Sequence, residues 1–284
     1  MTADRRDLES FARAVEALEP YLGDLVFVGG WAHYLYTLRP EASPLAFEPL
    51  RTEDADVAAP ARLARGKQTI AQCLTKAGFR EHLSSDHIPP ISEYVLGDEA
   101  DGFYLEFLAP LVGGEIKRGG RRDVTTIVGG VTAQTLRHLD ILLTAPWQVT
   151  LNREGGFPVA RPRAISIPNP AAYIVQKMLV MSKRRPDKQA KDLLYIHDTF
   201  AIFTDSFACV KAGWEALRMA MLAGHVRTFE KTVRAALAGE SDLVRRAARI
   251  ASDRAAPPTP VTLLLGLRRG FATAFDLRPA VGGK

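Results

Sequence analysis

The sequence predicts an α+β protein, in which a mixed sheet with flanking helices is followed by an all-helical region. Short apolar segments of strand length recur between residues 25 and 151, separated by turns rich in glycine and proline. Near residue 165 the spacing of apolar residues changes to the helical period and keeps it to about residue 275. We therefore divide the chain into an α/β part at 1–165 and a helical part at 166–284.

The elements of the first part follow from local patterns. Leu8, Phe11 and Val15 lie at helical spacing, and Pro20 and Gly23 end that helix. In chain order we predict a helix at 4–19, a buried strand at 25–28, a helix at 31–38, a loop at 39–50, an acidic strand at 54–59, a helix at 61–77, and strands at 79–83, 91–97, 103–108, 123–128 and 141–151.

A connector at 165–170 leads into the helical part. Its last residue, Pro170, suits the first turn of a helix because proline lacks the N–H that would have no partner there. Helical spacing then predicts helices at 170–184, 188–203, 207–222, 226–238, 241–254 and 260–275.

Composition excludes several classes of protein. With 47% hydrophobic and 24% charged residues, the 284-residue chain reads as a soluble globular protein. It has neither an apolar run of membrane-spanning length nor a secretory pattern at the start, so we expect a cytoplasmic protein without a membrane partner. Cys73 and Cys209 are the only cysteines, which argues against a zinc site or a disulfide framework.

Charge is distributed unevenly along the chain. Residues 1–160 carry 16 Lys and Arg against 22 Asp and Glu, whereas residues 161–284 carry 21 against 10. An acidic part beside a basic part fits a metal-holding region joined to one that receives a polyanion, either NTP or nucleic acid. The basic run at 117–122 predicts an exposed turn that could also contact nucleic acid.

The most informative motif is a glycine pair followed by two aspartates. Gly29 and Gly30 end the apolar strand at 25–28, and Asp54 and Asp56 lie in the acidic strand. Because side chains alternate along a strand, both carboxylates point to one face, where two like charges are unfavourable without a cation between them. Mg²⁺ takes such oxygen ligands and shares them with substrate phosphates.

Two further features complete a site for phosphoryl transfer. Glu106 is an acid inside an otherwise apolar strand, and a buried carboxylate needs a partner. Gly29 and Gly30 allow the backbone to approach a phosphate, and the following helix offers N–H groups. We predict Asp54, Asp56 and Glu106 as the catalytic and metal-binding acids, with Mg²⁺ or Mn²⁺ as the cofactor.

These motifs resemble the nucleotidyltransferase fold of the DNA polymerase β superfamily. The segments that carry the resemblance are Val28-Gly29-Gly30-Trp31-Ala32-His33, Arg51-Thr52-x-Asp54-x-Asp56-Val57, Leu105-Glu106-Phe107-Leu108, Gln176-Lys177-Met178-Leu179, Arg184 or Arg185, and Lys191-Asp192-Leu193-Leu194. They are similar to those of small prokaryotic nucleotidyltransferases, including relatives of the AbiE-type toxins of type IV toxin–antitoxin systems.

The resemblance implies a role for each residue. Asp54 and Asp56 would bind the metal, and Glu106 would be the base or third ligand. Lys177 would neutralise the triphosphate. The residues expected to contact the nucleotide are Gly29, Gly30, Trp31, Thr52, Lys177, Lys191 and Asp192. Trp31 departs from the family pattern, which usually has a small hydroxylated residue after the glycines.

The resulting hypothesis is an Mg²⁺-dependent enzyme that transfers NMP from an NTP to the hydroxyl of an RNA or tRNA, a protein or a small molecule. One alternative is the toxin of a type IV-like toxin–antitoxin system that acts on tRNA and has a cognate antitoxin. The other is a non-catalytic module of the same fold that binds nucleotide or RNA.

Overall fold

We describe the fold from a computed structural model, which covers residues 5–50, 52, 54–84, 90–98, 102–114 and 125–277. The basic run at 117–122 and positions 51 and 53 of the acidic motif lie outside these residues. The helices are α1 Arg5–Ala17, α2 Gly29–Leu35, α3 Ile70–Lys76, α4 Leu139–Leu142, α5 Pro170–Val180, α6 Pro186–Ile202, α7 Phe207–Ala220, α8 Ala223–Ala236, α9 Asp242–Ile250 and α10 Pro260–Phe275. The strands are β1 Val26–Val28, β2 Asp54–Ala58, β3 Arg80–Ser84, β4 Ile91–Leu96, β5 Phe103–Pro110, β6 Thr125–Val128, β7 Val131–Leu136, β8 Trp147–Leu151 and β9 Arg163–Ile167.

The chain forms two compact units. The first consists of residues 1–38 and 51–168, and the second of residues 39–50 and 169–284. The predicted boundary at 165/166 falls inside β9, which pairs with β8 over its whole length. The loop at 39–50, which lies in the first part by sequence, belongs with the helices of the second unit.

The first unit is built around one mixed sheet. Its described strands follow the order β3-β4-β5-β2-β1-β9-β8, and β7 adds to β5 and carries β6. Two pairings matter for the site: β1 runs antiparallel to β2, and β2 runs parallel to β5. The predicted fold class, a mixed sheet with flanking helices followed by an all-helical region, is confirmed.

The two faces of the central strands are covered differently. One face carries aromatic side chains such as Phe27, which meets Phe11 of α1 with ring centroids 5.2 Å apart. The opposite face carries a second apolar cluster, in which α4 covers the strand ends; its buried members are Val26, Val28, Ala58, Leu108, Leu139 and Leu142. Because side chains alternate along β2, Asp54, Asp56 and Ala58 lie on this second face. Asp54 lies at the start of the strand and Ala58 at its end.

Several local predictions were wrong at residue level. The predicted helix at 61–77 is helical only from Ile70, where Thr69 and Gln72 form a capping box. Tyr21 holds the preceding loop instead, because its hydroxyl accepts from the Gly66 N–H and donates to the Gln68 carbonyl. The predicted strand at 141–151 is α4 followed by β8, and β7 and β9 had not been predicted.

Candidate functional site

Three predicted acids lie on one face of the sheet in the first unit. Asp54 and Asp56 are two residues apart in β2, so their side chains share a face. In the parallel pairing of β2 with β5, Asp56 lies directly opposite Glu106. Side chains opposite each other on neighbouring strands have Cβ atoms about 5 Å apart. The register therefore places all three carboxylates on one face of the sheet, with Asp56 and Glu106 side by side.

The backbone of Gly29 lies directly against one of these acids, Asp56. It follows Val28, the residue of β1 that pairs with Asp56, and it opens α2 with φ +66°. A Cβ atom built at Gly29 would overlap Asp56 Oδ2 and lie 3.2 Å from Asp56 Cγ. Only glycine combines this left-handed backbone with so close an approach to a carboxylate. The Gly-Gly turn is thus shaped around the acid.

Trp31 lies in the core of the first unit. Its indole is fully buried and stacks on the ring of Phe11, with centroids 4.1 Å apart and an interplanar angle of 8°. It also meets Phe103, which alternation places on the face opposite Glu106. The Trp31 side chain therefore does not point towards the acids, and residue 31 has only its backbone to offer a phosphate.

Thr52 supports the start of the acidic strand. Its hydroxyl donates to the Asp54 carbonyl at 2.9 Å, and the side chain is half-buried. This bond ties Thr52, two residues before the start of β2, to the backbone of the first acid. As the structure stands, Thr52 acts on the strand, and its predicted contact with nucleotide remains a prediction.

The acids can be reached from solvent. Asp54, Asp56 and Glu106 are each half-buried, while their neighbours Ala55 and Leu105 on the other face are fully buried. Among the described residues, no group of three or more His, Cys, Asp or Glu side chains is arranged to hold a metal ion. The chemistry of the donors nevertheless fits Mg²⁺, which commonly takes one or two protein carboxylates and completes its shell with substrate phosphates and water.

A second group of predicted residues lies on α5 and α6 of the second unit. Lys177 Nζ donates to Asp192 Oδ1 at 2.7 Å, and the two residues are only 6% and 3% exposed. The ammonium also lies 4.7 Å from the ring centroid of Tyr173 and 4.6 Å from that of Tyr195. Two aromatic faces and one carboxylate therefore surround this buried cation, which offsets part of its desolvation.

Two further cations join this group. Arg184 Nη1 lies 3.1 Å from Asp192 Oδ2, with its side chain 38% exposed, and Lys191 Nζ lies 5.8 Å from the ring centroid of Tyr195. Lys177 and Arg184 thus share the Asp192 carboxylate, while Lys191 and Lys177 both lie near the Tyr195 ring. The structure brings the predicted Lys177, Lys191 and Asp192 together.

The two tyrosines of this group had not been predicted. The helical spacing could have indicated them, because Tyr173 lies four residues before Lys177 and Tyr195 lies four after Lys191.

Loss of the buried lysine should destabilise the protein. We expect Lys177→Met to lower the free energy of unfolding by about 2–4 kcal/mol, because it leaves the Asp192 carboxylate buried with Arg184 alone. Lys211→Met is the control, since Lys211 pairs with Asp276 at 3.1 Å in an exposed position, and it should cost less than about 1 kcal/mol. Urea unfolding measures both, and equal losses would contradict the assignment of a buried pair.

Comparison with known proteins decides the family. A family model described as nucleotidyltransferase matches residues 6–213. The chain belongs to this nucleotidyltransferase family. The match covers both groups of predicted site residues and most of the described chain.

The chain is also similar to a solved structure. An antigenic nucleotidyltransferase-like protein from Paracoccidioides brasiliensis is 18% identical, with a TM-score of 0.36; the match covers 68% of this chain and 75% of that one. No curated protein matches the chain.

Membership supports general nucleotidyl transfer with an NTP as substrate. In the part of this nucleotidyltransferase that the structure describes, no helix is long and apolar enough to cross a membrane.

Proposed function

We propose that this nucleotidyltransferase transfers NMP from an NTP to an acceptor hydroxyl and releases pyrophosphate, with Mg²⁺ or Mn²⁺ as cofactor. The observation that carries the proposal is the pairing of Asp56 with Glu106 beneath the backbone of Gly29. In this step the acceptor oxygen forms a bond to the α-phosphorus, and the bond from that phosphorus to the pyrophosphate oxygen breaks.

Each acid has a proposed task in that step. Asp54 and Asp56 would hold the cation, which when bound offsets the negative charge of the phosphates. Glu106 would accept the proton of the acceptor hydroxyl, since it lies beside Asp56 and points to the same face. The backbone of Gly29 and Gly30 would lie against a phosphate, because no Cβ atom stands in the way.

The cations of the second unit have a proposed task as well. Lys177 and Arg184 both pair with Asp192, and Lys191 lies 5.8 Å from the centroid of the Tyr195 ring. A group of basic side chains of this kind would bind a phosphate. Because Asp192 and two tyrosine rings hold Lys177 in place, we assign the more exposed contacts to Arg184 and Lys191.

The decisive test uses the purified 284-residue chain with each NTP labelled at the α-phosphate, Mg²⁺ and total RNA. We expect label to appear in RNA, and EDTA to abolish the transfer because the two aspartates then lack their cation. The Asp56→Asn variant is the matched negative control. Mg²⁺-dependent binding of NTP without transfer to RNA, to protein or to a panel of small hydroxyl compounds would instead support a non-catalytic module.

We further propose RNA as the acceptor, because residues 161–284 carry 21 basic against 10 acidic residues. The resemblance of the motifs to AbiE-type toxins suggests tRNA and a cognate antitoxin. Growth arrest on expression that Asp56→Asn relieves would support a toxin. Normal growth with wild-type protein at the same level would contradict it.

A further inference from the structure

The segment at 61–69, which we call the basic loop, lies between β2, the strand of the two aspartates, and α3. Residues 57–80 contain five Lys and Arg and no Asp or Glu, although residues 1–160 as a whole carry 16 against 22. Three of the five, Arg62, Arg65 and Lys67, lie in the basic loop, and all three are exposed. The acidic part of the chain therefore contains a local positive surface that its overall charge conceals.

A buried tyrosine holds the second half of the basic loop. The Tyr21 hydroxyl accepts from the Gly66 N–H at 2.8 Å and donates to the Gln68 carbonyl at 2.6 Å, and Tyr21 is only 3% exposed. Both bonds go to the backbone of the loop. They fix the chain on either side of Lys67, whose side chain remains in solvent.

The turn between β6 and β7 holds the rest of the basic loop. The Gly129 N–H donates to the Leu63 carbonyl at 3.3 Å, and the Gly129 carbonyl accepts from the Ile70 N–H at 3.0 Å. Gly130 has φ +93°, and a Cβ atom built there would lie 2.7 Å from the Thr69 side chain, so glycine allows this close approach. Together with the tyrosine, this turn gives the loop a defined course although it is neither helix nor strand.

The composition of the basic loop indicates the class of partner. Three exposed cations in a stretch without acids attract a polyanion, and such Lys and Arg side chains bind phosphate oxygens of a nucleic acid independently of its sequence. Stable binding to a membrane surface takes apolar side chains or a lipid anchor as well as cations. Leu63, the one large apolar residue of the loop, is half-buried and packs close to Gly129.

The distance from the basic loop to the acids suits a bound RNA. β2 runs from Asp54 to Ala58, and the loop begins three residues later. Four residue steps of a strand span about 13 Å. This corresponds to about four steps of a nucleic-acid strand at roughly 3.4 Å each. A phosphate backbone on the loop and an end of the same RNA at the acids are therefore compatible in distance.

We propose that the basic loop is a docking surface for the phosphate backbone of the acceptor RNA. Arg62, Arg65 and Lys67 bind phosphates away from the reacting end, while Tyr21 and the turn between β6 and β7 keep the loop in place. The inference rests on the proposed function, because it takes RNA as the acceptor. None of the three cations contacts the NTP in this proposal.

The test measures binding of a fluorescein-labelled RNA hairpin to the 284-residue chain by anisotropy over a series of salt concentrations. The principal variant combines Arg62→Gln with Arg65→Gln, two exposed positions where the change should not unfold the protein. We expect about tenfold weaker binding, and a slope of log affinity against log salt that is smaller by about 1.5.

The control for this variant combines Arg5→Gln with Arg153→Gln, which removes two exposed cations of the same unit outside the loop. Because the net charge changes equally in both variants, a general effect of charge would weaken both alike. The control should keep the affinity and the salt slope of the wild type. Equal binding by the loop variant and the control would overturn the inference.

Steady-state kinetics separate RNA docking from NTP binding. In the variant with Arg62→Gln and Arg65→Gln, the KM for RNA should rise about tenfold while kcat and the KM for NTP stay unchanged. A higher KM for NTP with an unchanged KM for RNA would assign the loop to the nucleotide and overturn the inference.

Tyr21→Phe tests whether the fixed course of the loop matters. It keeps every charge and the aromatic ring but removes both hydroxyl bonds, so amide hydrogen exchange should be faster in 61–69. RNA affinity should fall about threefold, because binding must then order the loop. Faster exchange with unchanged affinity would overturn the proposal of a preformed surface.

Failure of the proposed function gives a different result from failure of this inference. If the chain binds RNA through the loop but transfers no NMP to any acceptor, the proposed transfer is wrong and the docking surface stands. If NMP is transferred to a protein or a small hydroxyl compound, and the wild type binds no RNA, the transfer stands and the docking surface is rejected.

Discussion

The Asp56→Asn variant should lose about a thousandfold in nucleotidyl transfer while its melting temperature stays within a few degrees of the wild type. Asp56 lies opposite Glu106 and against the Gly29 backbone, so its side chain adjoins both the third acid and the glycine turn. Asparagine has the same shape but lacks the charge that holds a divalent cation. Transfer of labelled NMP at saturating NTP measures the rate, and thermal unfolding measures the fold.

The control for this variant is Asp140→Asn, which changes an exposed acid of α4 in the same unit. It should leave both measurements unchanged. Raising the Mg²⁺ or Mn²⁺ concentration should not restore Asp56→Asn, because the missing group is a ligand. Full activity in Asp56→Asn would remove the acids from the proposed site.

Gly29→Ala should reduce transfer about a hundredfold without removing any charged group. A Cβ atom at this position would overlap Asp56 Oδ2, so the carboxylate or the turn must shift. A shift of about 1 Å can cost this much in rate, because transfer depends on aligned groups. The left-handed backbone at φ +66° adds a loss of about 1–2 kcal/mol in stability.

Gly23→Ala is the matched control, because a Cβ atom there would meet no atom within 4 Å. It should keep full activity and leave the free energy of unfolding unchanged or slightly higher. Steady-state rates and urea unfolding of both alanine variants separate the effect on the site from the effect on the fold. Equal activity of the two variants would contradict a turn shaped around Asp56.

Local patterns predicted most elements but not their limits or their partners. Helical spacing placed all six C-terminal helices, because apolar residues at that period record which helix face is buried. The same reasoning extended α3 back to residue 61, although Tyr21 holds that stretch as a loop through Gly66 and Gln68. Such a contact joins residues more than forty positions apart, and no local period records it.

The sequence by itself determined the chemistry of the candidate site. Alternation along a strand places Asp54 and Asp56 on one face, and the glycine pair marks a turn that needs no side chain. The sequence also indicated that Glu106 needs a partner, since burying an unpaired carboxylate in an apolar strand costs folding free energy. These conclusions depend only on neighbours along the chain.

Tertiary structure alone decided which groups meet. The pairing of β2 with β5 puts Glu106 opposite Asp56, and stacking on Phe11 takes the Trp31 side chain into the core. It also anchors residues 39–50 among the helices through Phe47. Strand register and core packing are set by contacts between residues distant in sequence, so the residue pattern can nominate the members of a site but cannot assemble them.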